Sequence, residues 1–214
     1  MNARQSPSTS PITFFASPQV NLISVFVAIV LGASLIEFNS LLFPPEVTSL
    51  SFWAILPVYY FALDAWFAIM TWGRHTPYSD KPLSRTWVSC TLLGWTSLLA
   101  LMFFASRLPD SLLSYMWGLV VMFIFISLSY FFRYRDTRLP QPRGLAAKFG
   151  SLALVAATAY SIWALVFPPI PDAANWVFVF VVFGVLVSYR QLLRLRHAWQ
   201  PEYDETRLRM DRTA

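Results

Sequence analysis

Six apolar stretches, each long enough to cross a bilayer, fill most of this chain, and its basic residues are sorted into alternate gaps between them. A transmembrane helix needs about 20 predominantly apolar residues. Residues 19–43, 51–72, 86–106, 111–132, 145–167 and 175–194 meet that requirement. With 57% hydrophobic and 13% charged residues, the chain has too little polar surface to face water all round, so lipid must cover it. The expected fold is therefore all-α: a polytopic bundle of six transmembrane helices in three hairpins. Residues 1–18 form a leader, 19–194 the membrane domain and 195–214 a tail. The leader is rich in Ser and Pro, has one basic residue, Arg4, and precedes no small-residue cleavage site, so the first span is read as a retained helix.

Orientation follows from the short loops, because Lys and Arg beside a span stay on the cytoplasmic side. Arg74, Lys81 and Arg85 lie between spans two and three. Arg133, Arg135, Arg138 and Arg143 lie between spans four and five, with Lys148 one turn further on. The tail side carries Arg190, Arg194, Arg196, Arg207, Arg209 and Arg212. Of the sixteen Lys and Arg, only Arg107 falls in an opposite loop, where Glu46, Asp110 and Asp172 accompany prolines. Both termini are thus expected in the cytoplasm, and the membrane is expected to be the plasma (cytoplasmic) membrane. Trp53, Tyr115, Trp117 and Trp176 near outer ends, and Trp72, Trp87, Tyr130, Tyr134 and Tyr189 near inner ends, read as interfacial anchors. The three hairpins share a Pro-plus-acid outer turn, which any outward turn between helices explains without duplication.

Small residues suggest which helices are central. Ala146, Gly150, Ala153, Ala157, Ser161 and Ala164 recur every three or four residues, so the fifth span is expected to be buried. Thr86, Cys90, Gly94 and Ser97 make a similar stripe on the third. The sixth, bulky on nearly every side, and the fourth, apolar from Val120 to Ile126, are expected to face lipid.

Asp64 lies about 20 Å below the outer end of the second span at 1.5 Å per residue. An acid at that depth costs at least a few kcal/mol unless it is hydrated, paired or protonated. Burial there favours the neutral acid, the behaviour a proton-coupled site requires. Trp53, Pro57, Tyr60, Ala68 and Thr71 share its helical face, an aromatic wall with hydroxyl donors. Glu37, about 9 Å from the outer end of the first span, shares a stripe with Val30, Ala33, Ser34 and Ser40, and a carboxylate so shallow can also snorkel to the interface. Asp64, Glu37, Tyr60, Trp53 and Thr71 are the candidate ligand- or ion-path residues.

Several classes are excluded. The net charge of +5 is accounted for by basic residues beside helix ends, and no motif exists to hold a nucleic-acid groove. One cysteine, Cys90, forms no internal disulfide, and the two histidines, His75 and His197, supply no metal or haem site, so no cofactor is expected. Lys148 is too close to a helix end to be a Schiff-base lysine. No Gly-rich phosphate loop or Gly-x-Ser-x-Gly elbow occurs.

The reading that remains is a small transporter, channel or substrate-capturing transport subunit for a solute, ion or proton, either homo-oligomeric or bound to another membrane subunit. The alternative is a non-transporting accessory or scaffold subunit, in which Asp64 and the small-residue faces bind helices. The first predicts water around Asp64, and the second predicts an acid sealed by hydrogen bonds with no cavity. An intramembrane enzyme would need Asp64 and Glu37 to converge as acid and base. Their roughly 10 Å difference in depth argues against that.

Overall fold

The computed structural model describes residues 18–75, 85–137, 143–167 and 171–198. The leader, the basic loops at 76–84 and 138–142 with their prolines, and the tail from 199 lie outside the described residues. Among the described residues every regular element is a helix, joined by turns. The elements are α1 (Pro18–Glu37), α2 (Asn39–Leu42), α3 (Leu50–His75), α4 (Arg85–Ala105), α5 (Leu112–Thr137), α6 (Arg143–Val166) and α7 (Asp172–Ala198). Among the described residues, five helices are long and apolar enough to cross a membrane: α3, α4, α5, α6 and α7. The expected first span over 19–43 is not one helix. It stops at Glu37, Phe38 leaves helical geometry, and one further turn, α2, runs into Pro44–Pro45.

The helix ends follow local chemistry. Asp172 opens α7, where its charge complements the positive end of the helix dipole, and the Ala174 amide donates to the Pro171 carbonyl at 2.9 Å. The α4–α5 turn closes with Ser106 N to Met102 O at 3.0 Å and Arg107 N to Phe104 O at 3.2 Å.

The five long helices form a closed ring in which each packs on the next: α3 on α4, α4 on α5, α5 on α6, α6 on α7 and α7 back on α3. α5 and α7 also touch across it, and α1 leans from outside on α3 and α4. α1 buries Ile23, Val27, Leu31 and Ser34, an i, i+4, i+8, i+11 stripe, and leaves Leu22, Val25, Ile29 and Ile36 exposed. The Tyr59 hydroxyl of α3 donates to Ser34 Oγ at 2.8 Å, and Ser34 Oγ donates to the Leu31 carbonyl at 2.9 Å. Those bonds fix the register of α1 against the ring.

Three expectations about burial are corrected. α6 is the least buried of the five long helices. Its small-residue stripe does pack tightly, with Ala146, Ala153 and Ala157 fully buried and the Cβ position of Gly150 only 3.3 Å from Phe123 Cβ, but Leu152, Leu154, Val155, Ile162, Leu165 and Val166 are exposed. α7, expected to face lipid, buries Val179, Val182, Leu186 and Tyr189. α5 is likewise central, with Leu112, Tyr115, Met116 and Phe123 fully buried. Small residues report close approach of backbones, and in lipid a bulky apolar residue is equally at home inside or outside, so composition does not rank the helices.

Tyr115 and Tyr189 are also not interfacial anchors, because both are fully buried in protein. The Tyr115 hydroxyl donates to the Ala54 carbonyl at 2.8 Å, in the turn before Pro57. Pro57 lacks the amide that would bond the Trp53 carbonyl, and one residue on, the Tyr115 bond ties the α3 backbone to α5. Tyr115→Phe is expected to cost about 1 kcal/mol in a thermal-unfolding series in detergent.

Candidate functional site

Asp64 is held by two arginines of α7. Arg190 and Arg194 are one helical turn apart, so both side chains project from the same face towards α3. Arg190 bonds Asp64 Oδ2 through Nε and the terminal nitrogen. Arg194 takes Oδ1, with Nε at 2.6 Å and the terminal nitrogen also bonded. Each carboxylate oxygen thus accepts charge-assisted bonds from one guanidinium, Oδ2 from Arg190 and Oδ1 from Arg194. One turn earlier on α3, the Tyr60 hydroxyl accepts from Gln191 Nε2 at 2.8 Å. The guanidinium carbons lie over rings of α3, Arg190 at 5.3 Å from Phe61 and Arg194 at 5.9 Å from Tyr60.

The two arginines differ in exposure. The Arg190 side chain is 8% exposed and Asp64 is 7% exposed, whereas Arg194 is 56% exposed. Arg190 satisfies the buried acid, and Arg194 carries the cluster to the surface of the bundle.

Beside this cluster lies a cavity of about 500 Å³, bounded by α3, α4, α5 and α7. Its charged end is formed by Asp64, Arg190 and Arg194. Thr91 and Ser129 face each other across the α4–α5 seam at 2.9 Å, and Thr91 also donates to the Trp87 carbonyl. The Tyr189 hydroxyl is buried close to Tyr130. The other end is apolar, walled by Trp95, Leu98, Met122 and Phe125, and Cys90 lines the interior between them.

The expected site residues are only partly brought together. Asp64 lines the cavity, and Tyr60 sits behind it in the α3–α7 clasp. Trp53 is elsewhere: its indole donates to the Val47 carbonyl at 2.8 Å and its ring packs 5.8 Å from Phe180 and 6.4 Å from Phe183. Glu37 is exposed at the end of α1, outside the cavity, so the structure does not bring the two carboxylates into one pocket. The Thr71 side chain lies outside the described residues.

Arg190 and Arg194, assigned from sequence to membrane topology alone, are the principal residues that reading missed. A signal was present: they are the two arginines inside the predicted span 175–194, and the buried acid needed a cation. The cavity-lining Trp87, Trp95, Phe125 and Ser129 carried no such signal.

Among the described residues, no three or more His, Cys, Asp or Glu gather as a metal site. No family model matches the chain, and neither a curated protein nor a solved structure matches it.

Proposed function

We propose that this protein takes a small solute into the interior of its helix ring, acting as a transporter or as the substrate-capturing membrane subunit of one. One observation carries the reading: a half-open cavity of about 500 Å³ between α3, α4, α5 and α7, with a charged end and an aromatic lining. That volume lies within the roughly 300–1,000 Å³ of small-molecule sites, and an apolar lining with a few convergent polar groups is their usual composition. In this reading the cavity holds the solute and the Asp64 cluster shapes its end. α1 serves as a sixth crossing: at 1.5 Å per residue its 20 residues reach about 30 Å, the hydrocarbon thickness of a bilayer. The basic loops then face the cytoplasm, and the membrane is the cytoplasmic one.

A second reading is favoured by the saturation of Asp64. An acid whose two oxygens are both taken by guanidiniums is what an accessory subunit would use to lock two helices together.

Cys90 separates the two. It is the chain's one cysteine and lines the cavity. In sealed vesicles, a small charged methanethiosulfonate is expected to modify it from both sides if the protein transports, and from one side if it captures substrate for a partner. A cysteine that reacts only after denaturation would overturn the cavity reading and leave the accessory one.

A further inference from the structure

The cavity is polar at one end only, and among the described residues its lining carries one carboxylate against two guanidiniums. We infer that its ligand is an anionic amphiphile, with its head on Arg194 and its tail along α4 and α5. This rests on the proposed solute-binding role and names the class of solute.

Charge comes first. Asp64 neutralises one arginine, so the cluster keeps one excess positive charge. Arg190 is enclosed and makes both its bonds to Asp64, whereas Arg194 is more than half exposed and its guanidinium has donors to spare. A carboxylate or phosphate arriving at Arg194 cancels the excess through charge-assisted hydrogen bonds, whereas a cation would add to it.

Shape comes second. Along α4 the lining runs from Trp87 beside the charged cluster to Leu98 at the apolar end, a rise of about 16 Å. Half of the roughly 30 Å hydrocarbon core is one leaflet. The cavity therefore matches a lipid-like molecule standing as it would in a single leaflet, with its headgroup at the membrane surface. A small hydrophilic anion would leave Trp95, Leu98, Met122 and Phe125 without a partner, and an uncharged hydrocarbon would leave the excess charge uncompensated. Gly94, midway down, keeps the passage wide: a Cβ there would meet only Phe125 Cβ, at 3.8 Å.

The test uses the full chain in phosphatidylcholine nanodiscs, with Trp87 and Trp95 as reporters and brominated probes as quenchers. Dibromostearate is expected to quench saturably and to bind about tenfold more tightly than its methyl ester. The brominated alkylamine of the same length should bind more weakly than either. Arg194→Gln should bring stearate down to the affinity of the ester, and Arg194→Lys should keep most of the preference. A brominated phosphatidylglycerol arm identifies the source: preference for it over stearate points to a membrane phospholipid, and the reverse to a free fatty acid.

Gly94→Leu, which fills the passage, should abolish saturable quenching by every probe. Equal affinity for acid, ester and amine, all blocked by Gly94→Leu, would overturn the anionic class while leaving a solute-binding cavity. No saturable quenching, or quenching that Gly94→Leu does not touch, would overturn both.

Discussion

Asp64→Asn is expected to destabilise the bundle by about 3–5 kcal/mol, because it leaves Arg190 buried and charged without a counter-ion. An asparagine side chain presents one carbonyl oxygen and an amide donor, so it cannot accept from both guanidiniums. The three members of the cluster should respond unequally. Arg194→Gln is expected to cost no more than about 1 kcal/mol, since a guanidinium 56% exposed is largely solvated and screened. Asp64→Leu combined with Arg190→Leu should recover most of the loss, because removing both charges avoids the desolvation that removing one exposes. Unfolding in detergent, followed by tryptophan fluorescence, measures all three variants. A cost for Arg194→Gln as large as that for Asp64→Asn would show that both arginines bear the acid equally, contrary to their exposures.

The helices were legible in the sequence because their cause is local. Apolar length, the prolines at 44, 45 and 109, and Asp172 at the start of α7 place most boundaries within a few residues. The split at Phe38 was not legible, because residues 38–43 carry no proline, glycine or charge to mark it, and Asn39 and Ser40 are tolerated inside an apolar helix. Which face meets protein was harder still. On α6, Ala153 packs inward while Leu152, Val155 and Ile162 face out, yet lipid and protein interior are equally apolar and the sequence has no polar face to mark the difference.

The site divides in the same way. Asp64 stood out because a buried acid is costly, and that cost is visible in one residue. Its partners lie 126 and 130 positions away, and their spacing along α7 matched the topology rule equally well, so nothing local separated the two explanations. The cavity was invisible because it is defined by what four helices fail to fill. Trp87, Trp95 and Phe125 read as ordinary membrane residues until α4 and α5 are set opposite α3 and α7.

The second large effect is expected from Phe123→Ala. Phe123 is fully buried, edge-on to Tyr189 with centroids 5.1 Å apart and stacked near Phe149 at 6.4 Å, and Phe149 meets Tyr189 at 5.5 Å. Tyr189 in turn stacks on Phe61 at 6.0 Å. One ring of α5 thus holds α6 and α7 at a fixed distance, and through Tyr189 it positions α3 at the level of Asp64. In water, such a truncation would cost both the transfer of the ring and the cavity left behind. In lipid the transfer contribution nearly vanishes, because the unpacked ring finds hydrocarbon outside as well. The cavity contribution remains: at about 24 cal/mol per Å³ and roughly 100 Å³ removed, the loss is on the order of 2 kcal/mol. The consequence should extend to the binding cavity, since Tyr189 lines it and would lose two of its ring neighbours' constraints as α5 and α6 relax. Phe123→Leu, which refills most of the space, is expected to restore most of the stability in the same unfolding assay. If Phe123→Ala and Phe123→Leu are equally harmless, the aromatic cluster does not hold the helices together, and the spacing of α5, α6 and α7 is set by the Gly150 and Ala153 contacts alone.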